Sequence, residues 1–195
     1  MGFSPLSSLF FLGGVNKMRI LAVDQARNGG WAIYDYEKQK LVDYGSFSFP
    51  NGKYTFSEAV CEIEKYISQL ITKRKISVVF LEDINLRANV SVFKNLAQLQ
   101  GVLINLCEKK HYLYQLVSPS VWQNYCNARG RTSKEIKAKI TATIPNDNKA
   151  KKRSKILSLQ YVKNKYDIDT DNDNISDAIC IGDYAVHNIN IQHKE

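Results

Sequence analysis

No apolar run in the chain approaches the roughly 18 residues that a membrane-spanning helix needs, so no association through a spanning helix is expected. The four cysteines, Cys61, Cys107, Cys126 and Cys180, form no Cys-x-x-Cys pair and no Cys/His cluster at zinc-finger spacing. That excludes a structural zinc site and leaves reduced, mostly buried thiols in a cytoplasmic protein as the expectation. Glycine is scarce, 10 residues without a phosphate-binding cluster, and 195 residues leave no room for a second large domain. Both features argue against a sugar-kinase or actin-like ATPase, although those also begin with a strand ending in Asp. Basic residues are missing before Lys17, so the short apolar patch Leu9-Phe10-Phe11-Leu12 lacks the flank of a secretory signal. The expectation is that the domain spans residues 18–190 and that residues 1–17 are a disordered or dispensable extension. No internal repeat and no long linker divides the rest, which fits one domain.

What the chain does have is concentrated positive charge. The formal net charge is +8, and residues 129–155 alone hold ten basic side chains against two acids, Glu135 and Asp147, a net of +8. Elsewhere the chain is balanced, with 17 basic and 17 acidic residues. Such a segment suits a phosphate backbone, because each neutralised phosphate releases counterions. A solvated basic face without a partner is the plainer alternative. Arg129, Arg131, Lys134, Lys151, Lys152, Arg153 and Lys155 are the candidate DNA-binding residues.

The hydrophobic pattern predicts an α/β fold. Residues 19–23 read as a buried strand ending at Asp24, Asn28-Gly29-Gly30 as a turn, and residues 31–34 and 41–49 as two further strands in an antiparallel meander. Phe56, Ala59, Val60, Ile63, Ile67, Leu70 and Ile71 recur at helical spacing. Residues 76–81 form an unbroken apolar run, as in a strand covered on both faces, and end at Glu82. A helix over residues 90–109, a fifth strand over 112–117 and a short helix opened by Ser118-Pro119-Ser120 follow. Residues 127–131 and 143–149 read as loop and 151–166 as helix; an acidic loop over 167–173 leads to a last helix from about Ser176 to Asn188. Three meander strands followed by strands separated by helices make a five-stranded mixed sheet flanked by helices, the order of an RNase H-like fold.

Three acids stand out by position. Asp24 and Glu82 end central strands, where open α/β sheets bind ligands, and Asp177 lies near the start of the last helix. Carboxylates gathered there would repel one another unless a hard divalent cation joined them. Two Mg²⁺ ions about 4 Å apart activate water and stabilise a leaving oxygen in phosphodiester cleavage. Each acid has a plainer role open to it. Asp24 could accept turn amides, Glu82 could pair with Arg87 or Lys94, and Asp177 could complement a helix macrodipole.

The sequence around these acids resembles the RuvC-type Holliday-junction resolvases. Met18-Arg-Ile-Leu-Ala-Val-Asp24 is similar to the family's first strand and metal-binding Asp, and Val79-Phe-Leu-Glu82-Asp-Ile to its second acidic site. Asn89-Val-Ser-Val-Phe-Lys-Asn-Leu-Ala-Gln-Leu-Gln-Gly101 resembles the helix that contributes to the dimer interface. Ser118-Pro119-Ser120-Val-Trp122 and Ile175-Ser-Asp177-Ala-Ile-Cys-Ile-Gly182 resemble the segments after the fifth strand and at the last acidic site. The resemblance implies a homodimer in bacterial or phage-infected cytoplasm that makes paired, Mg²⁺-dependent nicks in branched DNA, with Mn²⁺ able to substitute. It assigns Asp24, Glu82 and Asp177 to two metal ions and a basic residue near the scissile phosphate, for which Lys155 is favoured over Lys151, Lys152 and Arg153. Two departures stand out. Asn174 occupies the place of a usual Asp or His; its amide oxygen can ligate Mg²⁺ without adding charge, and Asp173 next door is the other candidate. Asn85 stands where the family often has a base-stacking aromatic, leaving Phe93 or Tyr125 for that task. Two alternatives stay open: an RNase H-like nuclease on another nucleic-acid structure, and a junction-binding module that has lost cleavage through Asn174.

Overall fold

The computed structural model describes residues 8–12, 18–84, 90–129 and 153–194. Five strands form the central sheet: β2 (Arg19–Asp24), β3 (Asn28–Asp35), β4 (Lys40–Ser48), β5 (Val78–Glu82) and β6 (Leu113–Val117). Their order is β4-β3-β2-β5-β6, with β2, β3 and β4 antiparallel and β5 and β6 parallel to β2. This is the expected mixed RNase H-like sheet. Helices α1 (Phe56–Arg74) and α2 (Val90–Lys110) pack on one face, and α3 (Pro119–Tyr125), α4 (Arg153–Tyr166) and α5 (Asp173–Asn188) on the other.

The unbroken apolar strands arise from this double cover. In β2, Ile20 and Ala22 enter the core under α3, α4 and α5, while Leu21 and Val23 enter the core under α1 and α2. Val78 and Phe80 of β5 face the first core, Val79 and Leu81 the second. Helix α1 starts where Thr55 and Glu58 form a capping box and stops at Lys75, which takes a left-handed conformation. Pro119 occupies the first turn of α3, where its missing N–H is harmless.

Two differences from the sequence reading bear on the site. The pair Gly29-Gly30 is not a turn but the start of β3, paired with Phe47 and Ser46 of β4. Glycine is required there by close approach: a Cβ on Gly29 would collide with the Phe47 ring and the Asp24 carbonyl. Helix α5 begins at Asp173, three residues before the expected start, because the Asn172 side chain caps it by accepting from the Asn174 N–H at 3.0 Å. The acidic loop is thereby shortened, and Asp177 falls in the second turn. A strand not anticipated in the first seventeen residues, β1 (Ser8–Leu12), pairs in parallel with β7 (Asn190–Lys194). The cysteines are free, with Cys107, Cys126 and Cys180 buried and Cys61 exposed.

A buried ionic knot joins α4 to α5. The Asp183 carboxylate, fully buried, accepts from the Tyr161 hydroxyl, from the Tyr166 hydroxyl at 2.7 Å and from Lys165 at 2.7 and 2.9 Å. A charge so far from water persists only when it is paired and hydrogen-bonded, and here both conditions hold. Helix α5 also meets the sheet at Gly182, where a Cβ would run into the Tyr34 ring and lie 3.2 Å from the Ala22 Cβ. Tyr34 cannot yield, because its hydroxyl donates to the Ile179 carbonyl at 2.8 Å and the side chain is fully buried. Gly to Ala inside a helix ordinarily stabilises by about 1 kcal/mol. Gly182→Ala should instead destabilise by about 1–3 kcal/mol through overpacking, read as a lower urea midpoint; a raised midpoint would contradict this packing.

Candidate active site

The site grows from sheet register. Strands β2 and β5 are parallel neighbours with Val23 opposite Leu81, so Asp24 and Glu82 follow side by side at their C-terminal ends. Helix α5 brings Asp177 to the same end. Its first turn can descend that far only because Gly30, the β3 partner of Asp24, has no side chain: a Cβ there would occupy the position of the Asn174 carbonyl.

Electrostatics record the gathering. Burial pushes the Asp24 carboxyl well above the usual carboxylate range, and the charges of Glu82 and Asp177 push it further, while Lys155 opposes them. Asp24 is half-buried at the end of its strand. Burial raises the Asp177 carboxyl to about 6 against the lowering effects of a hydrogen bond from Ser158 and the charge of Lys155. Asp177 Oδ1 is buried without a hydrogen-bond partner. Repelling, desolvated acids of this kind are costly to fold and suit a positive ion.

Two of the acids have polar side chains behind them. The main-chain carbonyl of Glu82 accepts from the Gln25 side-chain amide and from the Gln100 amide at 3.0 Å, and its carboxylate accepts from the Trp122 indole N–H at 2.9 Å. Ser158, fully buried on α4, donates to the Lys155 carbonyl at 3.0 Å, lies 3.0 Å from the Ser176 hydroxyl and lowers the Asp177 pKa. The sequence reading gives Gln25, Gln100, Trp122 and Ser158 no role at the site and treats Gly30 only as a turn residue. Polar residues at buried places in apolar elements are the one signal that points to the first four.

The other expected residues divide. Lys155, on α4, is close enough to act on Asp24 and Asp177 and forms an ion pair with Asp173. Asp173 is therefore turned to Lys155, and Asn174 enters the site region through its backbone. Arg129 is exposed and donates to the Asn124 side chain at 3.1 Å. Arg131, Lys134, Lys151 and Lys152 lie outside the described residues, as do Asn85 and Arg87, and Arg153 is described only as the start of α4. Of the aromatics, Phe93 is half-buried on α2, while Tyr125 is packed against Tyr184 and His187.

The oxygen-only donor set and the unpartnered Asp177 oxygen fit a hard divalent cation. Among the described residues, no three acidic, histidine or cysteine side chains already stand together as a metal-binding group; one Glu82 oxygen is turned to Trp122.

Comparison with solved structures places this architecture. Thermus thermophilus RuvC, in complex with a Holliday junction substrate, superposes with a TM-score of 0.61 at 10% identity, over 87% of this chain and 94% of that one. The chain has a RuvC-type resolvase fold. The yeast mitochondrial Holliday junction resolvase matches with a TM-score of 0.52 at 16% identity, over 87% of this chain and 78% of that one. The Fowlpox virus resolvase, bound to Holliday junction DNA, gives 0.52 at 14%, over 87% and 97%. No protein-family model and no curated protein matches the sequence. At these identities it is the RuvC-type fold that is shared, and no helix among the described residues is long and apolar enough to cross a membrane.

If the acids are strained by their gathering, removing one charge should help the metal-free fold. Asp24→Asn is expected to raise the melting temperature of the protein in EDTA, since it removes the buried acid that Glu82 and Asp177 repel. Thermal melts of the two proteins side by side check this, and a lower melting temperature for the variant would show that Asp24 is a structural acid.

Proposed function

We propose that the protein is a Mg²⁺-dependent, structure-selective endodeoxyribonuclease that resolves four-way DNA junctions by paired nicks. The observation that carries the reading is the convergence of Asp24, Glu82 and Asp177 from two strand ends and a helix, close enough to repel, on a RuvC-type fold. Asp24, Glu82 and Asp177 would hold the metal, with Asn174 or Asp173 as a further ligand. Bound there, Mg²⁺ (or Mn²⁺ in its place) would supply an activated water and stabilise the departing oxygen. Lys155 supplies a positive charge at the rim of the acids, suited to a non-bridging phosphate oxygen. Gln25, Gln100, Trp122 and Ser158 hold the acids in place, so little reorganisation accompanies substrate arrival. Residues 129–155 would grip flanking phosphates. Helix α2, with Val90 and Val92 exposed near its start, would pair two subunits and aim two sites at opposite strands.

A second reading has a specific observation behind it. Asn174 stands where the resemblance implies an Asp or His, and Asp173 is engaged with Lys155, which fits a module that binds junctions and cleaves weakly or not at all. A nicking assay on a labelled four-way junction and a matched linear duplex, with Mg²⁺ or EDTA, separates the two. Paired nicks in the junction alone, abolished in EDTA and in Asp24→Asn, are the expected outcome. Tight junction binding without nicks selects the binding module, and Asn174→Asp should then restore cleavage. Junction affinity should also fall about 10³-fold or more between 50 and 200 mM salt if six or more phosphates are neutralised. A flat response in a filter-binding titration would remove the basic segment from the interface.

A further inference from the structure

We propose that Trp122 is a positioning residue for this reaction, its indole N–H setting the carboxylate of Glu82 for the cation. The inference rests on the function proposed above. Glu82 has the longest and most mobile side chain of the three acids, and as the last residue of β5 only its backbone is fixed by the sheet. Gln25 and Gln100 both donate to its main-chain carbonyl, and the following amide, Asp83 N–H, donates to Val117 O at 2.8 Å. Those bonds fix the Cα. The carboxylate itself accepts the bond from Trp122 Nε1 at Glu82 Oε1, 2.9 Å, which orients it.

The local fold delivers the indole. Glu82 is paired with Val117 across β5 and β6, and the chain turns into α3 at Ser118-Pro119 directly after that partner. One helical turn later Trp122 sits 1% exposed in the core formed with Phe80, Ala178 and Ile181. A ring so packed has one orientation, and its N–H needs an acceptor. The choice of donor is chemically apt. An indole N–H bonds a carboxylate strongly but is neutral, so it fixes Glu82 without cancelling the charge that a divalent cation requires. A lysine or arginine in its place would compete with that cation.

The second tryptophan provides an internal control. Trp31, 7% exposed, donates its indole N–H to Tyr66 Oη at 2.9 Å within the core under α1 and α2. Trp31→Phe and Trp122→Phe therefore remove comparable groups, but only Trp122 touches an acid. Calorimetric titration with Mn²⁺ in the absence of DNA should show binding weakened about 10–100-fold in Trp122→Phe and unchanged in Trp31→Phe. The Mg²⁺ concentration for half-maximal junction nicking should rise by a similar factor. Equal Mn²⁺ affinity and equal Mg²⁺ dependence in Trp122→Phe and wild type would overturn the positioning role alone. A wild-type protein that neither binds Mn²⁺ nor nicks junctions would overturn the proposed function and this role with it. Should Trp122→Phe fail to fold, the native indole serves as reporter. In ¹⁵N spectra, Glu82→Gln should move the Trp122 indole N–H resonance upfield and leave that of Trp31 in place. An unmoved Trp122 resonance would mean that the bond to Glu82 is absent in solution.

Discussion

Helix α5 lies so close to the sheet at Gly30 and Gly182 that neither position has room for a methyl group, and the gathering of the three acids depends on that contact. The two glycines act at different ends of one helix. Gly182 sets its spacing from β2 and β3 through Ala22 and Tyr34, and Gly30 admits its first turn beside Asp24. A bulkier residue at either place would tilt or lift the helix and carry Asp177 away from the strand-borne acids. Because packed interiors do not deform continuously, such a displacement cannot be absorbed in small amounts.

The same helix links the two chemistries of that face. At one end it presents Asp177, raised in pKa by burial; two turns on it buries Asp183, which is amply compensated by Lys165, Tyr161 and Tyr166. The contrast separates a structural acid from a candidate functional one. Asp183 has a donor for each oxygen, whereas Asp177 leaves Oδ1 without one and shares its space with a like charge. The Asp183 knot also fixes α4 against α5, which is how Ser158 and Lys155 come to stand beside Asp177.

On the opposite side the sheet registers Asp24 with Glu82, and residues drawn from three other segments complete the support: Gln25 after β2, Gln100 on α2 and Trp122 on α3. Helix α2 reaches the Glu82 carbonyl through Gln100, and its first turn carries the exposed Val90 and Val92. In a paired molecule, the helix at the subunit contact would also be the helix that braces the second acid.

The strand–helix order, the double cover of β2 and β5 and the placement of Asp24 and Glu82 at strand ends were legible in the sequence, because apolar periodicity and strand-terminal acids are local signals. Asp177 was legible as an acid near the last helix start, but not its depth in that helix, since the Asn172 cap that advances the boundary depends on one side chain's choice of partner. Gly29-Gly30 was read as a turn for a similar reason: the same two residues suit a tight bend and a strand pressed against another element, and only the position of Phe47 and α5 decides between them. Tertiary structure alone determined that Asp173 turns to Lys155, that Tyr125 is committed to Tyr184 and His187, and that an indole, two amides and a serine hold the acids. Such partnerships join residues far apart in the chain, 57 positions in the case of Gln25 and Glu82, and no pattern along the chain encodes them.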